Sequence, residues 1–367
     1  MQVLLLVVVV LMALWQPGAP APAAPDVEVL AANLDVPWSI AFSPDGRIFI
    51  TERPGRIRVM ESGRLLPQPY LTLDDVDDEG EGGLLGLALH PEFPRRPWLY
   101  VYYTYRSGRT YNRVVRIVER NGRPWTRTVF LNSIPSFVYH DGGRMKFGPD
   151  GKLYIATGYG EWPISAQRMD SLAGKILRLN DDGSIPQDNP FPGSPIYSYG
   201  HRNVQGLAWH PALARLYATE HGPTGEGGLC CRDEVNLVEA GKNYGWPHVA
   251  GMGEDDRFVN PLLSSGTEER WGPAGATFVT QGLWRNSLLF AALRGRHVRR
   301  LTFDPTGRRV TAQEVLLPWR FGRLRDVAEG PGGAIYVLTS NRDGRGMPVP
   351  DDDRVLRFRL PTVEGAR

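Results

Sequence analysis

The sequence predicts an all-β chain folded as a six-bladed β-propeller. Three observations carry this expectation: a strand–turn–strand phrase that recurs along the chain, the spacing of its turn prolines, and the scarcity of any sustained helical period. The phrase is an alternating apolar strand, a turn bearing Pro, and a second apolar strand. It opens as Ile40-Ala-Phe-Ser-Pro-Asp-Gly46 followed by Arg47-Ile-Phe-Ile-Thr51. It returns as Leu87-Ala-Leu-His-Pro91 with Leu99-Tyr-Val-Tyr-Tyr103, then as Met145-Lys-Phe-Gly-Pro-Asp-Gly151 with Leu153-Tyr-Ile-Ala-Thr157. Leu207-Ala-Trp-His-Pro211 with Leu216-Tyr-Ala-Thr219 follows, and Val327-Ala-Glu-Gly-Pro-Gly-Gly333 with Ile335-Tyr-Val-Leu-Thr339 comes last. The turn prolines fall at 44, 91, 149, 211 and 331, the final interval being about twice the others. A sixth unit is therefore expected in that gap, where Gly282 to Phe303 supplies the strands Ser287–Ala292 and His297–Leu301. Units of roughly 45–60 residues with period-2 strands and Gly, Pro and Asp turns suit propeller blades, which bury their faces on one another and close into a ring. A β-sandwich would show no such repeat, and a solenoid would show a shorter, more regular one.

The 367 residues are 42% hydrophobic and 22% charged, ordinary globular composition with ample core material. A formal net charge of +2 gives no case for nucleic acid or an anionic membrane as partner. The run from Leu4 to Leu14, followed by Gln16-Pro17-Gly18 and the small residues to Ala24, reads as a secretory signal over residues 1–24. It is shorter than the roughly 20 apolar residues of a membrane span. The mature chain, 25–367, is then one propeller domain, periplasmic or secreted, with no membrane span. The two cysteines, Cys230 and Cys231, are neighbours, which leaves a vicinal disulfide or two free thiols and argues against a thiolate metal site.

Three constellations could carry chemistry. His140-Asp-Gly-Gly-Arg144 stands just before an inner strand, where an imidazole of near-neutral pKa can take a proton from a substrate hydroxyl. Gly200-His-Arg-Asn-Val-Gln-Gly206 brings the fork of Arg202 and the amide of Asn203 to the same position in the next blade. A late arginine set, Arg294 and Arg296 followed by Arg323 and Arg325, would be costly near the ring axis without anions, and so points to a polyanionic small ligand unless it forms a solvated basic rim. A further segment holds Glu220-His-Gly-Pro223, Asp233-Glu-Val-Asn236 and Asn243-Tyr-Gly-Trp-Pro247, whose carboxylates and loop carbonyls suit calcium as well as they suit a solvated acidic loop.

Taken in order, these motifs resemble the soluble sugar dehydrogenases that depend on pyrroloquinoline quinone (PQQ). The resemblance runs from Val36-Pro-Trp-Ser-Ile-Ala-Phe42 through Gly82-Gly-Leu-Leu-Gly86 to Arg323-Leu-Arg-Asp-Val327. It implies that His140 is the general base at the anomeric hydroxyl of an aldose and that Arg202 stabilises charge developing on PQQ, with Asn203 also in contact. It implies further cofactor contacts from Glu81, Arg294, Gly295, Arg296, Arg323, Leu324 and Arg325. Calcium would be held at Gly222, Pro223, Glu234 and Tyr244, with Ala250, Met252 and Glu254 as a fainter second set.

The chain departs from the glucose type in three places. Glu81 stands where that type has a ring-binding Gln, Tyr139 replaces an acid before the base, and Tyr159 replaces the Asp that orients it, with Glu161 nearby as a substitute. A broader aldose specificity is expected. Two other classes stay open: a non-catalytic extracellular ligand-binding propeller, and a calcium-dependent lactonase. The electron acceptor is unknown from the sequence, which fits a monomer or a homodimer equally.

Overall fold

A computed structural model of the chain describes residues 25–160, 162–225 and 228–360. The expected leader, 1–24, and Glu161 lie outside the described residues. Six antiparallel sheets form the six expected blades. Their inner strands are Pro37–Phe42, Leu84–Leu89, Gly142–Phe147, Val204–Trp209, Pro273–Phe278 and Leu324–Glu329, in blades 1 to 6. Each inner strand touches the next, and blade 6 returns to blade 1, so the ring closes.

The second strands show why the sequence reads as short apolar runs. Leu153–Thr157, Leu216–Glu220, Leu288–Ala292 and Ile335–Thr339 are buried at every position, because blades cover both faces of the middle of each sheet. The fifth unit is found one strand earlier than the sequence suggests. Its two recognised strands are the second and third of blade 5, while its inner strand is Pro273–Phe278. That strand lacks a Pro-Asp-Gly turn and carries Gly275, whose α-carbon lies against the Asp326 carboxylate where no β-carbon would fit. Ring closure uses the chain's beginning: Val27–Ala31 pairs antiparallel with Val355–Phe358, Val27 opposite Phe358, to complete blade 6.

The axis is blocked by a buried ion pair. Arg144 Nη1 lies 2.9 Å from Asp326 Oδ2 and also donates to Ser39 Oγ at 3.0 Å, while its Nε donates to the Gln205 carbonyl at 2.9 Å. The Ile40 N–H donates to the same Asp326 oxygen at 3.1 Å. Blades 1, 3, 4 and 6 are thereby tied at the centre. Cys230 and Cys231 form a disulfide. Among the described residues, no helix is long and apolar enough to cross a membrane.

Candidate active site

In antiparallel blades the start of each inner strand and the end of each second strand open on one face of the ring. That face holds a cavity of about 300 Å³. Its wall includes Glu81 from the approach to blade 2, His140 from the approach to blade 3, Arg323 and Arg325 from blade 6, Arg294 from the turn after Leu288–Ala292, and Pro223 from the loop after Leu216–Glu220. Residues more than 200 positions apart in the chain therefore meet because their strands share an end.

His140 has φ 70°, an uncommon backbone state for a residue with a side chain. Two contacts hold it there: its N–H donates to Glu81 Oε2 at 3.0 Å, and its carbonyl packs where Gly158 has no β-carbon. Arg202 is 2% exposed, and its Nη2 meets His140 Nε2 at 3.0 Å. A guanidinium can only donate, so Nε2 is the nitrogen that carries the imidazole's lone pair. The Tyr159 ring lies 5.0 Å from the imidazole, so this position supplies an aromatic wall in place of a carboxylate. Asp141 is pushed up to about 6 by burial, although Ser136 and Asn112 donate to it.

The cavity is built to hold negative charge. Arg325 is 6% exposed; its Nη1 donates to Gln205 Oε1 at 2.6 Å, and its Nε has no hydrogen-bond partner among the described residues. Burial drives its pKa down to about 9. His221 Nε2 in the cavity wall is likewise buried without a partner among the described residues, and so is Asn203 Nδ2, although Asn203 does not line the cavity. His221 is pushed down to about 3, first by burial and then by Arg202 and Arg325, against the opposing pull of Glu81, so it stays neutral. Buried donors left without acceptors in an arginine-lined cavity suit a planar, multiply anionic ligand.

The four expected metal residues also come together. Gly222, Pro223, Glu234 and Tyr244 surround a void of about 10 Å³ beside Arg202, near the lower limit for one water molecule. The Glu234 carboxyl is raised by burial and by the neighbouring Glu220 carboxylate, and both carboxylates accept from Asn236 Nδ2. A small oxygen-rich void beside two buried carboxylates fits a hard cation. Among the described residues no three His, Cys, Asp or Glu converge, so backbone oxygens would have to supply much of the coordination. Met252 and Glu254 are exposed and do not line this void; Ala250 does.

Residues 34–349 match the family described as Glucose / Sorbosone dehydrogenase. The chain belongs to the glucose/sorbosone dehydrogenase family. It is 37% identical over 364 residues to the aldose sugar dehydrogenase YliI of Escherichia coli, across 92% of this chain and 95% of that protein. It is 29% identical over 435 residues to quinoprotein glucose dehydrogenase B of Acinetobacter calcoaceticus, across 90% and 88%. The PQQ-bound aldose sugar dehydrogenase of Streptomyces coelicolor superposes with a TM-score of 0.82 at 36% identity, covering 92% of this chain and 99% of that one.

Within this family member the arginine set divides. Arg294, Arg323 and Arg325 line the cavity, and Arg202 reaches it through His140. Arg296 turns away: its guanidinium lies 5.2 Å over the Trp319 ring, in a neighbouring hollow of about 220 Å³ that also borders Arg323. Leu324 points into the core beside Val327 and Leu356, because alternation along the strand sends it opposite to Arg323 and Arg325. The Gly295 N–H donates to the Trp271 carbonyl at 2.8 Å, inside the turn. Glu81 already uses both oxygens, on His140 N–H and on Arg345. The cavity also contains Arg270 and Arg345, which the sequence did not single out, and the Cys230–Cys231 disulfide, one of the two readings left open for those cysteines, with Arg270 Nε 3.1 Å from Cys231 Sγ. His221 had a signal in its place next to Gly222. Arg270 and Arg345 had none, since each reaches the cavity from a loop without a repeat pattern.

Proposed function

We propose that the chain oxidises the anomeric hydroxyl of aldose sugars to the lactone, using PQQ with the help of calcium. The observation that carries this reading is one cavity that joins the imidazole of His140 to Arg294, Arg323 and Arg325, of which the buried Arg325 keeps an Nε donor without an acceptor among the described residues. PQQ, when bound, would supply the hydride acceptor for the anomeric carbon, and calcium a Lewis acid. His140 Nε2 takes the hydroxyl proton when the sugar hydroxyl displaces the Arg202 Nη2 donor that its lone pair now accepts from. Arg202, fixed by burial and by its place above the Trp246 ring at 5.3 Å, steadies negative charge as it develops. Arg294, Arg323 and Arg325 bind and orient carboxylates, and Asn203 offers its amide. Gly222, Pro223, Glu234 and Tyr244 would hold the calcium.

The apolar leader supports export to the periplasm or beyond, and a disulfide between the two cysteines suits that oxidising setting. The test is reconstitution. Purified protein is expected to be inactive alone and to reduce an artificial acceptor with aldoses after addition of PQQ and calcium. Failure across hexoses, pentoses and disaccharides under those conditions would overturn the reading.

A further inference from the structure

Glu81 and Arg345 face each other across the mouth of the cavity from opposite ends of the chain. Arg345 Nη1 lies 2.6 Å from Glu81 Oε1, while the other carboxylate oxygen accepts the His140 N–H. The Arg345 guanidinium also sits 5.4 Å over the Tyr139 ring, next to the base. Both partners are fixed from behind. The Glu81 N–H donates to the Val138 carbonyl at 2.8 Å, and Gly80, at φ 63°, packs its α-carbon against that same carbonyl, where a side chain would clash. The Arg345 N–H donates to Asp343 Oδ1 at 3.0 Å, and the other Asp343 oxygen pairs with Arg323 at 2.8 Å. One loop of blade 6, between Ile335–Thr339 and Val355–Phe358, thus pairs with an arginine of the cavity wall and with Glu81, the acceptor of the His140 N–H.

This arrangement answers a physical problem. A carboxylate beside a site for a multiply anionic ligand repels that ligand unless a cation stands against it. Glu81 stays ionised: burial raises its carboxyl, but His140, Arg345 and the His140 N–H together hold it down to about 2. Its charge is useful only if the repulsion is cancelled, and Arg345 is the cation placed to cancel it.

We propose that Glu81 and Arg345 form a charge latch over the cavity, in which Glu81 positions His140 through its backbone N–H and Arg345 offsets the Glu81 charge so that an anionic quinone can bind. Both are positioning residues, and the proposal rests on the PQQ reading above.

A double-mutant cycle with PQQ, read by calorimetry, tests the charge half. Arg345→Ala is expected to weaken PQQ binding by about 10-fold or more, because it exposes a bare carboxylate. Glu81→Gln/Arg345→Ala is expected to recover affinity to within about threefold of the parent, since the repelling charge has gone. Parent-like binding by Arg345→Ala, or a double variant as weak as the single one, overturns this half. The positioning half is read in steady-state kinetics. Glu81→Ala should lower kcat by about 10-fold with sugar KM little changed, and Glu81→Gln, which keeps an acceptor for the His140 N–H, should restore most of it. A Gln variant as impaired as the Ala variant overturns it. In cofactor-free protein, the His140 ring NMR signals, assigned with His140→Gln, should move in Glu81→Ala and return in Glu81→Gln. If the parent protein binds no PQQ, the functional reading fails, and these ring signals still decide whether Glu81 positions His140.

Discussion

Arg202 Nη2 and His140 Nε2 stand 3.0 Å apart, so the proposed charge-stabilising cation and the proposed base are in direct contact. Arg202 also donates from Nη1 to the His221 carbonyl at 3.2 Å, a second contact that fixes the guanidinium. Because a guanidinium only donates, the contact leaves Nε2 as the accepting nitrogen of the imidazole.

Removing either member should therefore slow chemistry more than binding. His140→Gln is expected to lower kcat by on the order of 10²–10⁴-fold while PQQ affinity stays close to that of the parent. Arg202→Ala is expected to lose on the order of 10²–10³-fold in kcat and some PQQ affinity as well. Steady-state kinetics paired with calorimetry separates the two.

Arg325 gives a prediction of opposite signs. A buried guanidinium that, among the described residues, meets the neutral amide of Gln205 and the Trp38 ring but no carboxylate is costly in the empty protein. Arg325→Met should raise the melting temperature of the cofactor-free protein while weakening PQQ binding on the order of 10²-fold. A calorimetric scan and a PQQ titration on the same preparation check both. A fall in melting temperature would mean that the arginine serves the fold.

Lys175 supplies a pH signature of stability. Its ammonium is enclosed by the carbonyls of Ser165, Ala166 and Ala173 at 2.9, 3.0 and 2.7 Å, and burial lowers its pKa to about 7. Between that value and the ordinary lysine value near 10.4, the unfolded chain binds more protons than the folded one, so the contribution of Lys175 to stability rises with pH across this window. Thermal melts of the parent and of Lys175→Met from pH 6.5 to pH 10 should show the parent gaining relative to the variant as pH rises. The variant should also be less stable overall, since three carbonyls lose their donor, at a cost of about 1–3 kcal/mol each at most.

Legibility varied with the range of the interaction. The units beginning at Ile40, Met145 and Leu207 were readable because a strand–turn–strand phrase is a local object, set by alternation and by turns that bear proline. The inner strand Pro273–Phe278 was not, because its glycine answers to Asp326, which follows it by half a hundred residues and meets it only across the axis. In the site, His140, Arg202, Arg323 and Arg325 stood out as unusual polar residues at the starts of inner strands. Arg296 looked equivalent to Arg294 in sequence, yet the tight turn between them sends one to the cavity and the other onto Trp319. Arg345 carried no mark at all.

The amino-acid order alone settled the number of blades, the strand ends at which chemistry would gather, and the family pattern of base, guanidinium and loop oxygens. Those are consequences of local periodicity and of residue type. Which charges are paired and which are left for a ligand was decided only in three dimensions: Arg323 meets Asp343, Glu81 meets Arg345, and the buried Arg325 meets no carboxylate among the described residues. The physical reason is that electrostatic energy depends on distance and burial, and ring closure sets both for residues that no sequence window contains together.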